Sequence, residues 1–441
     1  MNSNDWFSSK KNIEKSNKQY AHFDLRTNIA NLKDYLTDPQ KISRHSFYPL
    51  IHYDIRIRKY NQENGRKDKV RSVSYASHID CCIYQYYSFI LNELYNERVK
   101  KDGINDVPVA YRTDLHKNNA HFAKRAIDYI KHHSPCTVMI GDFTAFFDRL
   151  DHKYLKSQWC SLLETTELPE DHYAVYKSIT KFNTWDMEDL LKLNGLENNN
   201  SGRRELNSKV RVLTKKEYRE NRSHIHKNTN SYGIPQGTPI SATLANVYML
   251  EVDNIINEMV TPLNGLYMRY SDDFIVVVPT NNEYPNQTIL DEICFLLNGT
   301  DGLSLQPEKT QIYTAHNAEI WRYAIPLCQE TEPQKSFISF LGFTFDGQRV
   351  DIRGKTSSKY YYRMRRKART IAKSGGISPT GKHISNRNLY DKYSIRGAFR
   401  GKGNFFTYVE NARKVFEESS TIGSATKRHM QKIREEISKK N

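Results

Sequence analysis

The 441 residues, 38% hydrophobic and 12% aromatic, suffice to bury a sizeable core divided among two or three subdomains. No apolar run reaches the length of a membrane span, the polar start Met1 to Lys15 lacks the apolar core of a signal peptide, and a cytoplasmic location without a membrane partner is the default expectation. Six cysteines with an adjacent pair, Cys81-Cys82, but no Cys-x-x-Cys point to neither a disulfide framework nor a zinc ribbon, and the net charge of +16 is concentrated between Arg353 and Lys402, where fifteen Lys or Arg face a single acid, Asp391.

Residues 1–65 are polar with weak periodicity and predict an N-terminal helical extension. Ile79, Ile83, Tyr87, Ile90, Leu91 and Leu94 recur at helical intervals and predict an amphipathic helix over 75–99. The run Thr137-Val138-Met139-Ile140 reads as a strand and delivers Gly141-Asp142 at its end. Asp148 and Asp151 follow in the first turns of a helix, where acids meet the helix dipole favourably, and both are read as structural. Segment 186–230 is unusually polar, holding Asn198-Asn199-Asn200-Ser201-Gly202 and the basic stretch Lys215 to Arg222, and predicts a loop-rich insertion with His224 and His226 solvated. Gln236 and Gly237 open a predicted helix running through Leu244, Val247, Tyr248 and Ile255, and glycine at that entry permits a close approach of the backbone.

The apolar runs Leu266 to Tyr270 and Phe274 to Val278 meet at a polar turn and predict a β-hairpin that lifts Asp272 and Asp273 out of the sheet. Adjacent carboxylates repel, so a divalent cation is the natural way to keep both ionised, and Asp142 is the candidate third ligand. Mg²⁺ prefers such hard oxygen donors and keeps positions open for substrate phosphates. The basic window interleaves its cations with Tyr360, Tyr361, Tyr362, Tyr390, Tyr393 and Phe399, a composition suited to phosphate contacts with base stacking. Phe405, Phe406, Tyr408, Val409, Ala412, Val415 and Phe416 predict a last helix packed by one face, ahead of a basic tail with no room for an appended nuclease or zinc-binding domain.

In this order the chain resembles the reverse transcriptases, and among them the bacterial retron-like and defence-associated (unknown-group) enzymes. Lys67-Asp68-Lys69-Val70-Arg71 resembles the fingers motif, Asp142 to His152 motif A, Gly233 to Pro239 motif B, and Tyr270 to Asp273 motif C. Leu305 to Thr310 resembles motif D, and Phe340-Leu341-Gly342-Phe343 the primer-grip turn of motif E. The resemblance implies an α+β right-hand polymerase: N-terminal extension 1–65, fingers 66–135, palm 136–160 and 231–350 built as an antiparallel sheet on helices, a fingers insertion 161–230, and a basic helical thumb and tail 351–441.

It further implies an RNA-directed DNA polymerase working through two Mg²⁺ ions, with Mn²⁺ as the alternative, held by Asp142, Asp272, Asp273 and the Phe143 backbone carbonyl. Lys69, Arg71, Arg112, Phe147, Gln236, Gly237 and Lys309 are the expected nucleotide-binding residues. Phe147, five positions after Asp142, stands at the steric gate that favours dNTPs, although either Phe146 or Phe147 must turn inward as a core aromatic. Tyr270, Leu341, Gly342, Lys359, Tyr361, Arg363, Arg365, Arg366, Lys367 and Arg369 are the expected nucleic-acid contacts. The implied partners are a template or non-coding RNA, its cDNA and dNTPs, with a homo-oligomer or a second defence protein beyond these. Two readings stand beside this one: a retron enzyme that makes RNA-linked DNA, and an RNA-binding scaffold with a vestigial polymerase site. The twenty-nine tyrosines leave room for priming from a side chain, but packing and base stacking account for most of them.

Overall fold

The computed structural model describes residues 3–61, 65–281, 285–324, 332–375, 377, 386–401, 403–417 and 420–438. The side chains of Lys67 and Asp68, basic-window residues 378–385 and Lys402 lie outside the described residues. In chain order the strands are β1 (Leu50–Asn61), β2 (Gly65–Tyr75), β3 (Cys136–Asp142), β4 (Asn183–Asp186), β5 (Ile225–Lys227), β6 (Leu266–Tyr270), β7 (Asp273–Pro279), β8 (Gln311–His316), β9 (Glu319–Tyr323), β10 (Gln334–Lys335), β11 (Ile338–Phe340), β12 (Phe343–Phe345) and β13 (Val350–Ile352). The chain divides into two compact units, one of 1–114, 143–256 and 293–305, the other of 115–142, 257–292 and 306–441. Among the described residues no helix is long and apolar enough to cross a membrane.

The first unit carries a four-stranded sheet in the order β2-β1-β4-β5. Residues 50–61, expected within a helical extension, are strand instead. Ile51, Tyr53, Ile55 and Ile57 alternate with polar residues, a period of two that no helix can bury on one side. The predicted helix is His78–Lys101, started by Ser77, whose hydroxyl accepts from the Asp80 N–H at 3.2 Å; it is not amphipathic as expected, since its first half is buried on every face, from Asp80 through Gln85, with Tyr87 and Leu91 buried further on.

Segment 186–230 is also more ordered than its polarity suggested. It forms helices Met187–Leu193, Asn200–Ser208 and Lys215–Glu220 before strand β5. Asn199 caps the second helix, and Thr214 with Glu217 forms a capping box on the third. Leu190, Leu191, Leu206, Val212 and Leu213 of this segment join one cluster with Trp185, Phe23 and Ile51. A small number of well-placed large side chains thus outweighs a polar average.

The second unit is built on a six-stranded sheet ordered β10-β9-β8-β3-β7-β6, with β3, β7, β6 and β8 antiparallel to their neighbours. Every residue of β3 is buried, which explains its uninterrupted apolar run. Helix Asn119–His132, held by an Asn118–His121 capping box, buries Phe122, Ala123, Ala126, Ile127 and Ile130. A three-stranded sheet, β11-β12-β13, leads into helix Gly354–Lys373. That helix packs Met364, Ala368 and Ile371 against Leu389 and Ile433. The α+β class expected from the sequence is the one observed.

Candidate active site

Tyr270 of β6 and Asp273 of β7 are register partners, which leaves Ser271 and Asp272 as a two-residue turn with Ser271 at φ +64°. The fully buried Arg269 donates through Nη1 to the Ser271 carbonyl at 3.1 Å and so pins that turn from beneath. In β3, Asp142 stands opposite Asp273, and Gly141 opposite Phe274. A Cβ on Gly141 would lie 2.2 Å from the Phe274 ring, so glycine is required for the two strands to pair with the ring folded over. The outcome is three carboxylates at one end of one sheet.

The electrostatics of this end call for positive charge. Asp273 keeps an accessible edge, yet desolvation, followed by the Asp272 and Asp142 charges, pushes its carboxyl up to about 6 against the opposing pull of Lys309 and Arg353. Asp142, only 7% exposed, accepts a charged hydrogen bond from the Lys309 ammonium. The loop carrying Lys309 is anchored where the Gln306 N–H donates to the Asp142 carbonyl at 2.8 Å. The lysine supplies one positive charge to a cluster of three carboxylates, and an oxygen-only donor set of this kind fits a hard divalent cation.

Beside Asp273 a cleft is lined by Tyr270, Leu341, Gly342, Asn119 and Arg353. Leu341 and Gly342 form the two-residue turn between β11 and β12, with φ of +46° and +92°. Asn119 donates to the Leu341 carbonyl at 2.9 Å, and the Arg353 N–H to the Gly342 carbonyl at 2.9 Å. This holds a leucine in a left-handed conformation that it would not choose alone. Arg269, Asn119 and Arg353 were not foreseen as site residues. The one signal was an arginine breaking the otherwise apolar run of β6.

The other expected nucleotide-binding residues belong to the first unit. Lys69 and Arg71 are exposed and two apart on β2, hence on one face of the strand. Phe146 is the ring that turns inward, at 4% exposure, leaving Phe147 half-buried. Phe143 is buried and stacked on Phe146 with centroids 5.4 Å apart. Gln236 donates through Nε2 to Asp148 Oδ1 at 3.1 Å and accepts at its backbone carbonyl from the Ser74 N–H at 2.8 Å. Gly237 has φ +113°, and a Cβ there would sit 2.5 Å from the Ser74 carbonyl oxygen, so the close approach it permits is to the chain's own strand β2. The helix after it starts at Ser241 rather than at Gln236.

Arg112 requires a correction. It is 5% exposed, and its guanidinium donates to Asn96 Oδ1, to Asn105 through both the carbonyl and Oδ1, to the Pro108 carbonyl and to Asp114 Oδ2. All five N–H groups are engaged, which leaves none for a triphosphate. It is a structural anchor of its loop.

The expected nucleic-acid contacts on helix Gly354–Lys373 fall into two groups. Lys359 and Arg363 line a cleft with Arg353, Lys355, Arg387 and Lys392. Arg365, Arg366, Arg369 and Tyr361 line a second. Arg365 and Arg369 pair with the buried Glu436 at 3.7 and 2.8 Å, the Tyr361 hydroxyl donates to the Ala425 carbonyl, and Lys367 donates to Asn388. Among the described residues Arg363 and Arg366 have no acidic partner.

Comparison with curated proteins found no match. Solved structures with similarity include the apo telomerase from Candida tropicalis truncated from its C-terminal domain, with 11% identity over 74% of this chain and a TM-score of 0.41. The present chain spans 61% of that one. Telomerase from Candida albicans in complex with a fragment of telomeric RNA shares 13% identity over 92% of this chain and 67% of its own, with a TM-score of 0.39. The apo telomerase from Candida tropicalis shares 12% identity over 98% and 70%, with a TM-score of 0.43. The family described as reverse transcriptase (RNA-dependent DNA polymerase) matches residues 81–345, which include Asp142, Gln236, Asp272, Asp273 and Lys309. With well over half of its length matched, carboxylates and connecting sheet included, the chain belongs to the reverse transcriptase family.

Proposed function

We propose that this chain makes cDNA on a non-coding RNA template in the cytoplasm of a bacterium, as part of antiphage defence. The observation that carries the polymerase part is the gathering of Asp142, Asp272 and Asp273 at one sheet end, with Lys309 on Asp142. The defence role and the partner RNA rest on the resemblance of the ordered motifs to the retron-like and defence-associated enzymes.

In this reading Asp142 and Asp272 hold the cations, with Asp273 orienting the pair and the Phe143 carbonyl as a further ligand. Two Mg²⁺ ions, or Mn²⁺ in their place, supply the Lewis-acid stabilisation of attacking and leaving oxygens that nucleotidyl transfer needs. Lys69, Arg71 and Lys309 meet the triphosphate, and Lys309 is free to leave Asp142 once cations take over its charge. Phe147, with its ring partly exposed, rejects the ribonucleotide 2′-hydroxyl. Gln236 and Gly237 shape the nucleotide pocket by fixing their turn to β2. Tyr270 and the Leu341-Gly342 turn position the primer end, and Lys359, Arg363 and Arg366 contact phosphates.

The test is sequencing of RNA and DNA that co-purify with the tagged chain, beside an Asp272→Ala, Asp273→Ala variant. The expected result is a discrete DNA complementary to a bound RNA, absent from the variant, with RNA recovery unchanged. Equal biological activity of the two proteins would instead favour an RNA-binding scaffold, and DNA covalently joined to RNA would favour a retron enzyme.

A further inference from the structure

The sheet of the first unit gathers a second set of metal-ligating side chains. In the register of that sheet His52 of β1 pairs with Asp186 of β4, and His226 of β5 with Thr184 of β4. Because strand side chains alternate, Ile51 and Trp185 enter the core while His52, Asp186 and His226 share the opposite face. Asp189 joins them from the first turn of helix Met187–Leu193. The ligand atoms of Asp186, Asp189 and His226 all lie within 4.8 Å of one another.

Three observations set this apart from a solvated charged surface. Asp186 occupies the N-cap of its helix, yet its side chain does not cap it, forgoing the hydrogen bond that an aspartate there ordinarily makes. Instead its Oδ1 lies 2.7 Å from His52 Nδ1 and its Oδ2 3.9 Å from His226 Nε2, while Asp189 Oδ2 lies 3.2 Å from His224 Nδ1. Among the described residues neither carboxylate meets a lysine or an arginine in a chain with sixteen surplus positive charges; the partners are imidazoles. Finally, His52 and His224 each orient one carboxylate from outside the cluster, the arrangement that supports a ligating carboxylate.

We propose that Asp186, Asp189 and His226 form a divalent transition-metal site that takes Zn²⁺. One imidazole nitrogen with two carboxylate oxygens selects Zn²⁺ over Mg²⁺ or Ca²⁺, which prefer all-oxygen sets. Tetrahedral Zn²⁺ asks for ligand atoms about 3.3 Å apart. The side chains are 26–62% exposed and have the freedom to close that distance from the present spread. Asp186 and His226 also line a groove with Ser72, Ser74, Asp148 and Gln236, which leaves room for a fourth ligand. A metal here ties β5, the end of the polar segment 186–230, to β4 and the helix after it.

The test is Zn²⁺ binding to the full chain by competition with a chromogenic chelator, with Co²⁺ visible absorption as an independent readout of ligand geometry. One equivalent should bind to the wild type and to Asp272→Asn alike, with affinity lowered at least tenfold in His226→Ala and in Asp189→Asn. The metal-free melting temperature of His226→Ala should match that of the wild type, since the side chain is largely exposed. Zn²⁺ should raise the melting temperatures of the wild type and of Asp272→Asn, but not that of His226→Ala. Equal affinity in the wild type and His226→Ala would overturn the proposal, as would loss of the equivalent in Asp272→Asn alone, which would assign it to the polymerase carboxylates.

Discussion

Arg112 and Lys309 show how burial sets apart two cations that the sequence offered alike. Arg112 is withdrawn from water and directs every donor to its own loop or to Asn96 of the preceding helix, whereas Lys309 is exposed and leans on Asp142. Arg112→Ala should therefore cost about 3 kcal/mol or more of stability, because Asp114 and the Asn105 and Pro108 carbonyls lose a buried partner. Denaturant unfolding would register that loss, while the KM for dNTPs of the remaining folded protein should stay near the wild-type value. A raised KM with unchanged unfolding would return Arg112 to the nucleotide pocket. Among single residues the sequence was most legible for Asp142, Asp272 and Asp273, since their chemistry and spacing are local. It was least legible for the choice between Phe146 and Phe147, which depends on what each ring meets.

Helix Gly354–Lys373 was legible as a basic, aromatic-rich element, but not in how its cations are divided. Positions 360, 364, 368 and 371 are its buried stripe, and the arginines beside that stripe are the ones drawn to Glu436. Neutralising Lys359, Arg363 and Arg366 together should flatten the dependence of log K on log salt by roughly 0.7–0.9 for each phosphate that is no longer neutralised. Arg369→Gln should mainly lower stability, by leaving Glu436 buried with a weaker partner. Binding titrations at several salt concentrations separate the two outcomes, and an unaltered slope in the triple variant would show that this face does not touch phosphate. Segment 186–230 carries the same lesson in reverse. Its polar residues read as loop, yet Asn199 and Thr214 are helix caps, and the burial of Leu206 and Val212 needed Phe23 and Ile51 from far upstream.

Across the protein as a whole, acid sensitivity is spread over histidines that burial keeps neutral. His22 is pushed down to about 3, and His152, His172 and His429 are lowered as well, in each case chiefly by desolvation. A folded pKa below the unfolded one gives stability that is complete above about 6.5 and is lost as pH falls toward the folded value. The slope is about 1.4 kcal/mol per pH unit for a fully buried group such as His22, and less for the partly exposed His429. The urea midpoint should fall between pH 7.5 and 5.5, and His22→Leu should reduce that fall. A flat midpoint over this range would contradict the assignment. Short-range patterns were set by the amino-acid order alone: strand and helix periods, turn residues, carboxylates at strand ends, ordered motifs and one basic window. Which of those residues meet was settled by the folded chain. His52 finds Asp186 across 134 positions, and Asn119 finds Leu341 across 222. Such pairings follow from strand register and core packing, whose energies depend on partners that no local window of the chain contains.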